Sequence, residues 1–99
     1  MNYRLRTQFK ITAISANEAC RYVWDLQREL TGRSWILSPR VEWNDARQAV
    51  FVTFETPIEN DSPPEPPILV QARQLRDCLR GCPMPMPPFD LEDSLIVDG

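Results

Sequence analysis

The fold is decided by an alternating stretch near the N-terminus, YRLRTQFKIT at residues 3–12, and by the segment SANE at residues 15–18. In the first stretch apolar side chains, interrupted by Thr7, occupy every second position, and cationic or amide side chains occupy most of the others. That period of two predicts a strand with one buried and one open face. In SANE, Ser15 and Glu18 form a capping-box pattern, which predicts a helix over residues 16–31.

The rest of the chain supplies two further strands and a second helix. Residues 35–43 and 49–55 are rich in alternating β-branched and aromatic residues and predict strands joined by a polar connection. Pro39 lacks a backbone N–H, so its strand is predicted to lie at a sheet edge or to carry a bulge. Apolar residues spaced three and four apart predict a helix over residues 67–80, which Gly81 and Pro83 are expected to end. Residues 95–97 could add a short last strand.

This order of elements, βαββα with an optional last β, predicts an α+β fold of the ferredoxin-like, split βαβ class. Its antiparallel sheet would carry both helices on one face and leave the other face open. Trp24 is expected to complete the core beside Trp35, the alternative being that it projects as an interface anchor. Gly32 is expected to end the first helix in a left-handed conformation. The predicted core consists of Leu5, Phe9, Ile11, Val23, Leu37, Val41, Val50, Val52, Phe54, Leu75 and Leu79.

Proline and charge divide the chain into two parts. Nine of the ten prolines follow Phe54, and CPMPMPP occupies residues 82–88. Residues 1–50 hold eight Lys/Arg and five Asp/Glu, whereas residues 51–99 hold three and nine. We therefore expect a compact α+β domain over residues 1–81. Residues 82–99 are expected to form a proline-rich, acidic segment, partly extended or a short last strand. Its acidic residues Asp90, Glu92 and Asp93 are expected to form a solvated tail, in preference to a metal or general-acid site.

The composition argues against catalysis. The sequence has no histidine, which removes the commonest general base and most catalytic zinc ligand sets. Its three glycines lie at positions 32, 81 and 99, so no glycine-rich phosphate loop is present. Cys78 and Cys82 share a helical spacing of four, but with Cys20 they do not complete a zinc site. We expect no catalytic residues, no cofactor and no metal. A small enzyme that uses carboxylates or Cys78 is a third hypothesis.

The N-terminal residues lack an apolar run of signal-peptide length, and the longest apolar runs are too short to span a bilayer. Three cysteines, an odd number, favour free thiols over a disulfide framework. We expect a cytoplasmic location and no membrane association.

The open sheet face is the candidate interaction surface. It is predicted to combine cationic, apolar and hydroxyl side chains: Arg4, Arg6, Lys10, Ile36, Arg40, Phe51 and Thr53. The first hypothesis is a non-enzymatic protein–protein interaction or regulatory module that binds a protein partner or itself as a homo-oligomer. The alternative is a single-stranded nucleic-acid-binding domain, because cations interleaved with an aromatic resemble the layout of RRM-type sheets.

Overall fold

The computed structural model describes residues 3–12, 15–58, 67–81 and 89–98. Within these ranges the elements are β1 (Tyr3–Thr12), α1 (Ala16–Thr31), β2 (Leu37–Asn44), β3 (Ala49–Ile58), α2 (Pro67–Arg80) and β4 (Phe89–Asp98). Both helices have the predicted bounds. Most of the polar loop, residues 59–66, and the proline-rich stretch at 82–88 lie outside the described residues. Neither described helix is long and apolar enough to cross a membrane.

The described strands form one open, antiparallel sheet in the order β2-β3-β1-β4. With two helices this is an α+β arrangement that is compatible with the predicted class. β4 has ten residues, so the last strand is longer than the three residues predicted for it. β1 pairs with β3 along its whole length and with β4 on its other side.

Local capping explains where α1 begins and ends. The Ser15 hydroxyl accepts the backbone N–H of Glu18 at 3.2 Å, as the capping pattern predicts. At the other end, Gly32 donates its N–H to the carbonyl of Arg28 at 3.1 Å. Gly32 has a φ of −74°, so the prediction of a left-handed conformation was wrong. The chain leaves the helix through a further right-handed turn, in which Arg33 donates to the Leu30 carbonyl.

The core lies between the helices and one face of the sheet. Nine of the eleven predicted core residues are buried, and Val23 is partly buried against the core. Leu37 lies opposite Glu55, on the other face of the sheet, so its assignment to the core was wrong. Trp24, predicted to complete the core, is 80% exposed. The buried stripe of α1 runs along a different side of the helix, which places Trp24 towards solvent. That stripe consists of Ala19, Tyr22, Leu26 and Leu30.

A buried amide fixes α2 over the centre of the sheet. The side-chain nitrogen of Gln71 donates to the Leu5 carbonyl and to the Thr56 hydroxyl, both at 2.9 Å. Its side-chain oxygen accepts a hydrogen bond from the Thr7 hydroxyl. All three polar side chains are buried. Because buried polar groups are costly unless they are paired, this network specifies one position of α2 on β1 and β3.

A bulge near Pro39 changes the phase of β2. The register with β3 passes from Leu37↔Glu55 to Arg40↔Thr53, so β2 contains one extra residue. Ser38 has a φ of 50°, in the left-handed region that few non-glycine residues adopt. β2 is also an edge strand. Both features predicted from Pro39, the edge position and the bulge, are therefore present.

Candidate functional site

The open face of the sheet holds six of the seven residues predicted for it. Arg4, Arg6 and Lys10 lie on β1, on the face opposite the residues that contact α2. The register places Lys10 beside Phe51 and Arg40 beside Thr53. The backbone therefore brings these cationic, aromatic and hydroxyl residues onto three neighbouring strands.

Ile36 is the exception, because its side chain is 5% exposed and belongs to the hydrophobic core. The prediction continued the alternation of β2 back through Pro39 without a break. The extra residue at the bulge reverses that alternation, so Leu37 and Arg40 share the open face. Ile36 precedes Leu37 and consequently points to the helix side.

Two of the predicted cationic residues form ion pairs with one carboxylate. Glu55, on β3, lies between Arg4 and Arg6, with nitrogen–oxygen distances of 3.4 and 3.7 Å. The Glu55 side chain is only 7% exposed. A buried carboxylate is strongly disfavoured without a charged partner, so the two arginines are held in place by Glu55. They do not form a free cationic patch.

Phe51, the predicted apolar centre of the face, is covered. Arg47, from the β2–β3 connection, places its guanidinium 4.8 Å from the centroid of the Phe51 ring. The same guanidinium pairs with Glu92 of β4 at 2.7 Å. Phe51 is consequently 8% exposed. It lies on the open face but presents little of its ring to a ligand.

The contacts that Arg47, Glu55 and Glu92 make on the open face were not predicted from the sequence. The parity of β3 contains the signal for Glu55, because residues 51, 53 and 55 share one face of a strand. Glu92 was read as part of a solvated acidic tail with Asp90 and Asp93, whereas all three lie in β4. The β1–β4 register skips Glu92, and this irregularity could not be read from the sequence.

The β4 edge carries three exposed large apolar side chains. Leu91, Leu95 and Ile96 are 48%, 55% and 63% exposed. Leu95 lies beside Arg6, and Ile96 lies beside Leu5. Leu95 and Ile96 therefore project from opposite faces of the sheet at this edge. Large exposed apolar side chains grouped on one strand are typical of interaction sites.

A second apolar surface lies between α1 and β2. An open groove there is lined by Val23, Trp24, Val41 and Trp43, with Cys20 at its rim. Its floor is fixed by Gln27, which donates to the Pro39 carbonyl and accepts the Val41 N–H. Two charged residues that line the groove, Arg28 and Asp25, pair with each other at 3.5 Å.

Cys78 is a buried thiol next to a cation. The Arg33 side-chain nitrogen lies 3.0 Å from its sulfur. Burial raises the pKa of Cys78, and the Arg33 charge and hydrogen bond partly oppose that rise. Cys82, its partner in the sequence-based metal hypothesis, lies outside the described residues. Within the described ranges no group of three or more Cys, Asp or Glu residues is arranged to hold a metal ion.

Comparisons with protein-family models, with curated proteins and with solved structures each found no match for this chain.

Proposed function

We propose that this chain is a small, non-enzymatic protein-interaction module that binds an extended segment of its partner along the β4 edge of the sheet. The observation that carries the proposal is the exposure of Leu91, Leu95 and Ile96 on an edge strand ten residues long. An edge strand offers a row of backbone donors and acceptors that an added strand can pair with. Strand addition uses those groups for affinity and the alternating side chains for specificity.

The contrast between the two sheet edges supports β4 as the binding edge. β2, at the other edge, contains Pro39 and a bulge at Ser38. Proline and bulges are the devices by which proteins protect edges from pairing. β4 contains no proline, and its irregularity opposite Gln8 and Phe9 lies outside the stretch 95–97. That stretch is uninterrupted and apolar.

The alternative, binding of single-stranded nucleic acid, is not favoured by any contact on the open face. Phosphate recognition needs cations that are free to bind, whereas Arg4 and Arg6 flank the Glu55 carboxylate. Base stacking needs an exposed ring, whereas Phe51 lies beneath Arg47. The formal net charge of −3 also opposes general attraction to a phosphate backbone.

The proposal includes a ferredoxin-like fold and a cytoplasmic location. Read from the other edge, the strand order is β4-β1-β3-β2, with β3 lying between β1 and β2 and antiparallel to both. That order is consistent with a split βαβ unit formed by β1, α1 and β2. Among the described residues Cys20 is a free thiol, as is usual in a reducing compartment.

Site-specific photo-crosslinking tests the proposal. A benzoylphenylalanine placed at Leu95 of the full chain, expressed in its native host, should form covalent adducts with a protein. The matched control is the same probe at Leu69, which lies on α2 and is 57% exposed, close to the 55% of Leu95. Peptide mapping by mass spectrometry should locate the adduct in an extended segment of the partner.

A charge on the binding edge supplies the second arm. Ile96→Lys should abolish the adducts formed at Leu95, because a lysine at the edge hinders strand pairing. The circular dichroism spectrum should stay unchanged, since Ile96 is 63% exposed. Failure of the Leu95 probe to crosslink any protein, this chain included, would refute strand addition at β4.

A further inference from the structure

The strongest remaining question about the β4 edge is which segment pairs with it. The outer edge of β4 has two unlike halves. Its first half carries the acidic residues Asp90, Glu92 and Asp93, and its second half carries Leu95, Ile96 and Val97. A segment that adds here must be extended, apolar opposite residues 95–97, and placed so that no acidic residue faces another.

We propose that this segment is β4 of a second copy of the chain, related by a two-fold axis that passes through Ile96 normal to the sheet. This inference rests on the strand addition proposed above and names its partner. A two-fold interface is formed by the same patch on both subunits, so the patch must be complementary to itself. The apolar run of β4 at residues 95–97 meets that condition when Ile96 lies on the axis.

In that register the apolar residues of the two copies face one another. Ile96 lies opposite Ile96 of the second copy, and Leu95 lies opposite Val97 of the second copy. Ser94 lies opposite Asp98 of the second copy. An axis normal to the sheet keeps each face of one copy on the same side as that face of the other. The sheet therefore continues across the boundary between the two β4 strands, here called the seam.

The neighbouring registers are less favourable. An axis through Val97 sets Ile96 opposite Asp98, which pairs an apolar residue with an acidic one. An axis through Leu95 sets Glu92 opposite Asp98. Like charges directly opposite each other on adjacent strands are destabilising. With the axis through Ile96, Asp98 of one copy lies opposite Ser94 of the other and not opposite an acidic residue. Asp93 is offset from Asp98 of the other copy by one residue, and the β1–β4 register places these two positions on opposite faces of the sheet.

The strand next to the seam suits the same arrangement. On the open face Arg6 lies beside Leu95, and Arg4 beside Val97. The guanidinium groups of both arginines are turned towards Glu55 on β3, so their charges lie on the side away from the seam. On the helix face Ile96 lies beside the buried Leu5. The added strand therefore meets an apolar strip on both faces.

Sedimentation equilibrium of the purified full chain tests the inference. The expected mass is twice that of one chain, and Ile96→Lys should reduce it to that of one chain by placing two lysines at one pair position. Leu69→Lys, a change at a position of similar exposure on α2, should keep the doubled mass. Circular dichroism should show that both variants are folded.

Disulfide trapping tests the register without destabilising the edge. In a background with Cys20→Ser and Cys82→Ser, Ile96→Cys should form a linked dimer under mild oxidation, because directly opposed Cα atoms are about 4.5–5.5 Å apart. Ser94→Cys should not, because residue 94 of the two copies would be about 14 Å apart. A doubled mass that persists in Ile96→Lys, or equal trapping at both positions, would overturn the inference.

The two proposals fail in distinguishable ways. A purified chain that stays monomeric, while the Leu95 probe crosslinks a different protein, overturns the homodimer and leaves strand addition standing. A monomeric chain whose Leu95 probe crosslinks nothing overturns both. Crosslinks from Leu95 to residues 95–98 of the same sequence, together with the doubled mass, support both.

Discussion

The guanidinium of Arg47 lies over the ring of Phe51, with its central carbon 4.8 Å from the ring centroid. Arg47 comes from the β2–β3 connection and reaches Glu92 on β4, so one side chain spans the sheet between its two outer strands. The aromatic ring that the sequence offers as a binding surface is thereby enclosed by the protein's own cation. The contact between Arg47 and Phe51 stabilises the fold, and its contribution to the free energy of unfolding can be measured.

Arg47→Ala should lower the free energy of unfolding by about 1 kcal/mol, because it removes a cation–π contact and a partly exposed ion pair. Urea unfolding followed by circular dichroism gives the difference. The control is Arg40→Ala, an arginine on the same face whose side chain is 74% exposed beside Glu42. That change should stay within about 0.5 kcal/mol of the parent. Equal losses in the two variants would contradict this assignment.

Phe54→Ala or Leu75→Ala should lower the free energy of unfolding by roughly 2–5 kcal/mol, the range for a large buried side chain. Both side chains are 0% exposed, and the Phe54 ring stacks on Phe9 with centroids 5.9 Å apart. Leu69→Ala, on the same helix as Leu75 but 57% exposed, is the matched control. It should change stability by less than about 0.5 kcal/mol. An unchanged midpoint of thermal unfolding in either core variant would contradict the assignment of that side chain to the core.

Gln71→Leu should lower the free energy of unfolding by about 1–3 kcal/mol, because it leaves the Thr7 and Thr56 hydroxyls without their amide partner. Adding Thr7→Val should recover part of that loss, since two apolar groups replace a broken pair. A double-mutant cycle by urea unfolding measures the coupling. Additive losses for the two changes would mean that the hydroxyl and the amide are not energetically coupled.

Cys78 should resist alkylation in the folded chain. At neutral pH iodoacetamide should modify the exposed Cys20 well before Cys78, because burial shields Cys78 and raises its pKa. Peptide mapping by mass spectrometry distinguishes the two sites. Modification of both at the same rate in the folded chain would show that Cys78 is accessible.

The same raised pKa predicts a pH dependence of stability. Above the ordinary pKa of a thiol, the unfolded chain loses a proton that folded Cys78 retains, so the free energy of unfolding should fall as pH rises through this range. Cys78→Ala should show a shallower fall over the same range, measured by urea unfolding at several alkaline pH values. Identical slopes would show that Cys78 does not contribute to the dependence.

The sequence predicted the elements of this fold because their signals are local. The capping pair at Ser15 and Glu18 set the start of α1, and Gly81 with Pro83 marked the end of α2 within one residue. Alternation in β1 and β3 assigned their faces correctly, since no residue is inserted within the β1–β3 register. These features depend on spacing along the chain alone.

The errors arose where the outcome depends on residues distant in sequence. Ile36 was predicted to lie on the open face because the alternation of β2 was continued through Pro39. Pro39 indicates that a bulge can occur, but it does not show that one extra residue reverses the alternation. Phe51 was expected to be exposed because its cover comes from Arg47, anchored to a residue 45 positions further along. The acidic stretch at 90–93 was read as a tail because its strand depends on pairing with β1.

The bulge at Ser38 and Pro39 also bears on how many copies can assemble. A subunit with two receptive edges would recruit neighbours without limit and grow into a fibre. Here one edge of each sheet is interrupted by a residue with a φ of 50° and by a missing N–H donor. If two copies join through β4, both of their remaining edges are interrupted β2 strands. Assembly would then stop at the dimer. Raising the protein concentration would increase the fraction of dimer without forming a polymer.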